Sequence, residues 1–108
     1  EHDAIVAAVS HLPHVLASGL CAWLAGQEDS WRQFAGPGLR DTTRIAGGDP
    51  GLWQEIINHN RDEILKSLDG CLQTLGDWRE AIAAQDATAS RDFLERGQAY
   101  RRKLKDLS

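Results

Sequence analysis

The chain has 108 residues, with 12 Lys or Arg against 16 Asp or Glu, a formal net charge of -4 and a pI near 5.5. That supports one domain with a modest core, and the interleaved charges leave no broad positive field to attract a phosphate backbone, which excludes nucleic acid as a partner. No apolar stretch in the sequence approaches the roughly 20 residues that cross a bilayer, and Glu1, His2 and Asp3 stand where a secretory signal is basic and then apolar, so a cytoplasmic protein without membrane contact is expected.

From Asp3 to about Gln27, Ile5, Val9, Leu12, Leu16, Leu20 and Trp23 recur at intervals of three or four, which predicts a helix. Ala4, Ala7, Ala8, Ala17, Ala22 and Ala25 fill much of the remaining circumference. A helix apolar nearly all round is buried on several sides, and a domain of this size cannot bury it alone. Pro13 removes one backbone bond, to the carbonyl of Val9, and disfavours the helical region at Leu12, so a kink is predicted there. The pattern already runs by Ala4 with no initiator Met, which predicts a piece of a longer chain.

Between Glu28 and Gly48 the elements are short: a helical turn over Ser30 to Phe34, and a helix from Leu39 to Ala46 closed by Gly47 and Gly48. Asp49 followed by Pro50 is a helix start, since the Asp side chain accepts an orphan amide and proline's fixed φ suits the first position. Trp53, Ile57, Ile64, Leu68, Cys71, Leu75, Trp78 and Ile82 then keep helical spacing. An unbroken helix to Gln85 measures about 50 Å, against a radius of gyration of about 13 Å for a compact body of this length. It must therefore kink, near His59 to Arg61, or run across a partner subunit, and Asn60 is either a register-fixing contact or a cap at the break. After a polar break over Asp86 to Ser90, a last helix is predicted from about Arg91 to Leu107. Cys21 and Cys71 fall among apolar residues at helical spacing and read as core thiols, and the four tryptophans as core or interface.

At about 100° per residue, Asp3, Ser10 and His14 fall on one face of the first helix, with His11 flanking them. Sheltered polar groups need partners, which can be each other, a ligand, water or a second chain. One reading is a satisfied network that fixes register; another is a metal site using His11, His14 and Asp3 or His2, for which no third well-spaced ligand is evident. Arg40 and Arg44 lie four residues apart on a short helix, either as a solvated cluster self-paired with Asp41 or as rigidly held bidentate donors for a carboxylate.

His2-Asp3, Ser10-His11-Leu12-Pro13-His14, Arg40-Asp41-Thr42-Thr43-Arg44-Ile45-Ala46, Asp49-Pro50, Trp53 and Asn60-Arg61, in this order and spacing, resemble the C-terminal domain of the prephenate and arogenate (cyclohexadienyl) dehydrogenase family, over about residues 2 to 85. Pro37 and Leu39 depart from the family's more usual glycine and phenylalanine. The resemblance implies an all-α, long-helix dimerisation domain like the C-terminal domain of 6-phosphogluconate dehydrogenase, interlocked as a homodimer and covering residues 1–108. It implies a separate N-terminal Rossmann domain that binds NAD or NADP and carries the main catalytic histidine, since no glycine fingerprint occurs here. The implied reaction is oxidative decarboxylation of prephenate or arogenate to 4-hydroxyphenylpyruvate or tyrosine, with tyrosine as a feedback inhibitor. By the same resemblance Ser10, His14 and Arg44 bind substrate, and His2, Asp3 and Trp53 lie near the site entrance. No catalytic, cofactor-binding or metal-binding residue is expected in this chain itself, and the fragment alone is expected to be inactive. The rival reading is a helical dimerisation or interaction module whose polar stripe is structural.

Overall fold

The computed structural model describes residues 1–105 and is helical, with no strand among the described residues. It divides into two compact units, Glu1–Leu68 and Asp69–Ser108.

In the first unit, α1 (His2–Val6), a π-helical turn (Ala7–His11) and α2 (Leu12–Ala25) follow one another without interruption. The sequence predicts a kink at Pro13 with Leu12 outside the helical region; the structure has instead this widened turn just before it. Leu12 keeps helical dihedrals of φ -60° and ψ -46°, and its N–H bonds five residues back to the carbonyl of Ala7. The ladder thus gains a residue just before the proline that cannot donate, as π-bulges commonly do next to functional sites. The run from His2 to Ala25 is 24 residues long with a mean hydropathy of 1.6, long and apolar enough to cross a bilayer. This corrects the expectation drawn from the sequence, because Ser10, His11 and His14 interrupt the apolar residues without lowering the mean of the helical run below that of a span.

A 3-10 turn (Asp29–Phe34) is held by two hydrogen bonds from Arg32 to the Asp29 carboxylate, each 2.8 Å. The helix predicted over Leu39 to Ala46 is two pieces, α3 (Pro37–Thr43), begun by its proline, and a 3-10 turn (Arg44–Gly47). The Thr43 hydroxyl donates back to the Leu39 carbonyl at 2.7 Å, and at φ -105° and ψ 3° Thr43 ends the α geometry there. Asp49 caps α4 (Pro50–His59), its Oδ2 accepting from the Leu52 amide at 3.0 Å. The break predicted near His59 to Arg61 falls at Asn60, with φ -117° and ψ 31°, before α5 (Arg61–Ala83).

The core of this unit is small. Ala7, Ala17, Ile64 and His14 are the buried side chains among the described residues, and Ile5, Val9, Leu16, Leu20 and Trp23 stay substantially exposed. Cys21, expected in the core, is only half-buried and has a free thiol.

In the second unit, α5 ends at Ala83, and Gln85 takes the left-handed region at φ 55°. Asp86 Oδ1 caps α6 (Ala87–Lys105) by accepting from the Ala89 amide at 3.0 Å. That cap starts the last helix four residues before the expected Arg91; its predicted end at Leu107 lies outside the described residues. Trp78 stacks on Phe93 with centroids 4.1 Å apart and donates from Nε1 to Ser90 Oγ at 3.1 Å. The indole therefore supplies apolar area and has its one donor satisfied. Cys71 is half-buried and free, again short of the expected core position.

Candidate functional site

α2 and α4 bring two aromatic systems face to face. The His14 imidazole lies flat on the Trp53 indole, with centroids 3.7 Å apart and an interplanar angle of 11°. His11, one turn earlier, meets the same indole edge-on at 6.0 Å and 84°. The capped start of α4 points Trp53 toward α2, and the π turn places His11 and His14 on the face that receives it.

Gly48 closes this arrangement. A Cβ there would stand 3.0 Å from Trp53 Nε1 and 3.1 Å from His14 Cε1, so the stacked rings occupy the space a side chain needs. Its φ of -66° is open to any residue, and so space alone calls for glycine. Gly48→Ala is expected to lower stability by about 1 kcal/mol as the rings give way to the added methyl. Denaturant unfolding checks this, and an unchanged midpoint shows that the stack moves freely.

Beside the stack lies a cleft of about 400 Å³ lined by His14, Val15, Ser18, Ala46, Gly48, Pro50, Trp53, Gln54, Ile57 and Asn58. The His14 ring is 7% exposed. Among the described residues no buried side-chain nitrogen or oxygen is left without a partner. His14 is thus a buried residue at the wall of a mostly apolar cleft, the usual character of a small-molecule site. A second cleft of about 480 Å³ is lined by His2, Asp3, Val6, His11, Leu52, Glu55, Ile56, His59 and Asn60. There Asn60 Nδ2 donates to the Asp3 main-chain carbonyl at 2.9 Å and lies 3.4 Å from His11 Nδ1.

Of the residues singled out in the sequence, His14 and Trp53 are brought into contact, and His2 and Asp3 share the neighbouring cleft with His11. Ser10 and Arg44 are exposed and line neither cleft. Arg44 opens the 3-10 turn that carries Ala46 into the His14 cleft, and among the described residues neither Arg40 nor Arg44 forms an ion pair with Asp41. No group of three metal-ligating side chains occurs among the described residues. Gly48, Gln54, Ile57 and Asn58 were not among the site residues expected from the sequence. The last three follow Pro50 and Trp53 on one face of α4, a periodicity the sequence does contain, whereas Gly48 was legible only as a helix terminator.

The model of the family described as "Prephenate dehydrogenase, dimerization domain" matches residues 1–104. The chain is 36% identical over 109 residues to the cyclohexadienyl dehydrogenase of Zymomonas mobilis, covering 97% of this chain and 37% of that protein. It is 32% identical over 104 residues to the prephenate dehydrogenase of Bacillus subtilis, covering 94% and 28%. Among solved structures, Synechocystis arogenate dehydrogenase superposes with a TM-score of 0.89 at 31% identity, over 95% of this chain and 39% of that one. Prephenate dehydrogenase from A. aeolicus, solved in complex with hydroxyphenyl propionate and NAD+, superposes with a TM-score of 0.78 at 27% identity, over 99% and 37%. The chain thus spans well under half the length of each of these relatives. Residues 1–104, with their all-helical fold and the His14–Trp53 cleft, belong to the dimerization domain family of the prephenate dehydrogenases.

Proposed function

We propose that this chain is the dimer-forming, substrate-binding domain of an NAD- or NADP-dependent prephenate or arogenate dehydrogenase of tyrosine biosynthesis, acting in the cytoplasm. The observation that carries the reading is the buried His14, stacked on Trp53 at the wall of a cleft of about 400 Å³, in a chain of this family. Prephenate is a small dianion, and a cleft that recognises it needs donors and cations, each charge-assisted hydrogen bond contributing about 1.5 to 3 kcal/mol net. His14 supplies a donor, while Ser10 and Arg44, exposed and without an ionic partner among the described residues, supply a hydroxyl and a bidentate cation. His2, Asp3 and Trp53 stand at the entrance.

Nucleotide binding is assigned to an N-terminal Rossmann domain, where the family resemblance puts the glycine-rich fingerprint. A nucleotide held there would supply the acceptor for a hydride. The ring carbon bearing the hydroxyl loses that hydride, the ring carboxylate leaves as carbon dioxide, and the ring becomes aromatic. The catalytic histidine of that N-terminal domain would polarise the hydroxyl, whose oxygen retains its proton as the phenol of the product. This chain binds and orients the substrate and excludes water. Tyrosine, sharing the ring and side-chain carboxylate, competes at Ser10 and His14 as a feedback inhibitor. The large apolar side chains left exposed on α1 and α2 are covered in a homodimer.

The test is turnover by the full-length protein with prephenate and arogenate, each with NAD and NADP. Reduced nucleotide is expected with at least one pairing, and His14→Ala is expected to lower kcat/KM by about tenfold or more. Silence in all four assays overturns the proposal.

A further inference from the structure

Asn60 makes two long-range side-chain contacts, both to the first helical run: to the Asp3 main-chain oxygen at 2.9 Å and to His11 Nδ1 at 3.4 Å. A main-chain carbonyl can only accept, so the Asn60 atom facing it is the amide nitrogen, which settles the orientation of the side chain. That nitrogen carries a second hydrogen and lies 3.4 Å from His11 Nδ1, so it can only donate there. Nδ1 must then be the bare, accepting nitrogen, because a proton there would meet the amide hydrogen head-on. A neutral imidazole with Nδ1 bare carries its proton on Nε2. Among the described residues no other side chain hydrogen-bonds the ring, including His2, Asp3, Glu55 and His59, which line the same cleft.

We infer that Asn60 is a positioning residue: it holds His11 as the Nε2–H tautomer and fixes its ring edge-on to Trp53, whose other ring partner, at 3.7 Å, is His14. The chain of contacts runs from the α4–α5 break through His11 and Trp53 to the ring proposed to bind substrate. Only the last step rests on the dehydrogenase reading; the tautomer does not.

The experiment uses the full-length protein labelled with 15N at histidine, with the His11 signal assigned by its loss in His11→Gln. At a pH where the ring is neutral, His11 is expected to show a bare Nδ1 and a protonated Nε2. Asn60→Asp has the same shape but offers acceptors in place of the donor, and should reverse the tautomer to Nδ1–H. Asn60→Ser keeps one donor for the Asp3 carbonyl and should leave a mixture; it carries the test if the Asp variant does not fold. In parallel, Asn60→Asp should raise KM several-fold while kcat stays within about twofold. A protonated Nδ1 in the unmodified protein, or one tautomer throughout, overturns the inference. A reversed tautomer with unchanged KM removes the link to His14. Absence of turnover in the unmodified protein defeats the dehydrogenase reading and leaves the tautomer result intact.

Discussion

Arg44→Ala in the full-length protein is expected to raise KM for prephenate or arogenate by about 10- to 100-fold, the range that corresponds to losing about 1.5 to 3 kcal/mol of net charge-assisted hydrogen bonding. The change in kcat should be less than about threefold. The asymmetry follows from the reaction. A guanidinium that held the departing carboxylate more tightly before the transition state than within it would raise the barrier, so under the proposed function the contribution expected of Arg44 is binding and orientation. In this chain Arg44 is exposed, at the head of the turn that leads to Ala46 and Gly48 beside His14, and among the described residues it pairs with no carboxylate. Its charge is therefore uncommitted and available to a cleft completed by segments outside this chain. Arg44→Lys keeps the charge but loses the planar fork, and should recover only part of the affinity. Steady-state kinetics with an unchanged KM in Arg44→Ala removes this residue from the binding set.

The long elements were legible in the sequence because each carries its own local signal. Asp49-Pro50 specified both a cap and a first turn, and the impossibility of a straight helix of about 50 Å in a small body placed a break where Asn60 is found. Pro13 marked an irregularity but not its kind: deletion of one N–H can be met by a bend or by an added residue in the preceding turn, and which one wins depends on packing against other elements. The same added residue disturbs the angular bookkeeping that placed Asp3, Ser10 and His14 on one stripe. His11 and His14 face Trp53, whereas Ser10 is exposed. Gly48 was hidden for a related reason, since its role is the space it leaves for two rings from elements distant in sequence. Contacts of that kind are not written in local periodicity. The sequence also implied a helix apolar nearly all round that one domain cannot cover, and the small core of the first unit agrees with this.

That uncovered surface makes the second large prediction. Leu16, Leu20 and Trp23 form a stripe on α2 at spacings of four and three, and Trp23 is 60% exposed in the single chain. A tryptophan so exposed contributes little to the fold of its own chain, but at the centre of an interface such a residue is commonly worth about 2 kcal/mol or more. In a twofold dimer each substitution acts twice, so Trp23→Glu should weaken association by about 4 kcal/mol, or about a thousandfold in Kd. Sedimentation at micromolar concentration is expected to show a dimer for the unmodified full-length protein and mostly monomer for the variant, with helical circular dichroism retained. The run from His2 to Ala25 also meets the length and hydropathy of a membrane span, and the two environments answer the substitution differently. A face that meets lipid would lose vesicle binding on gaining a carboxylate and leave the dimer untouched, whereas a face that meets a second subunit gives up the dimer. An unchanged Kd in Trp23→Glu would move the interface off this stripe.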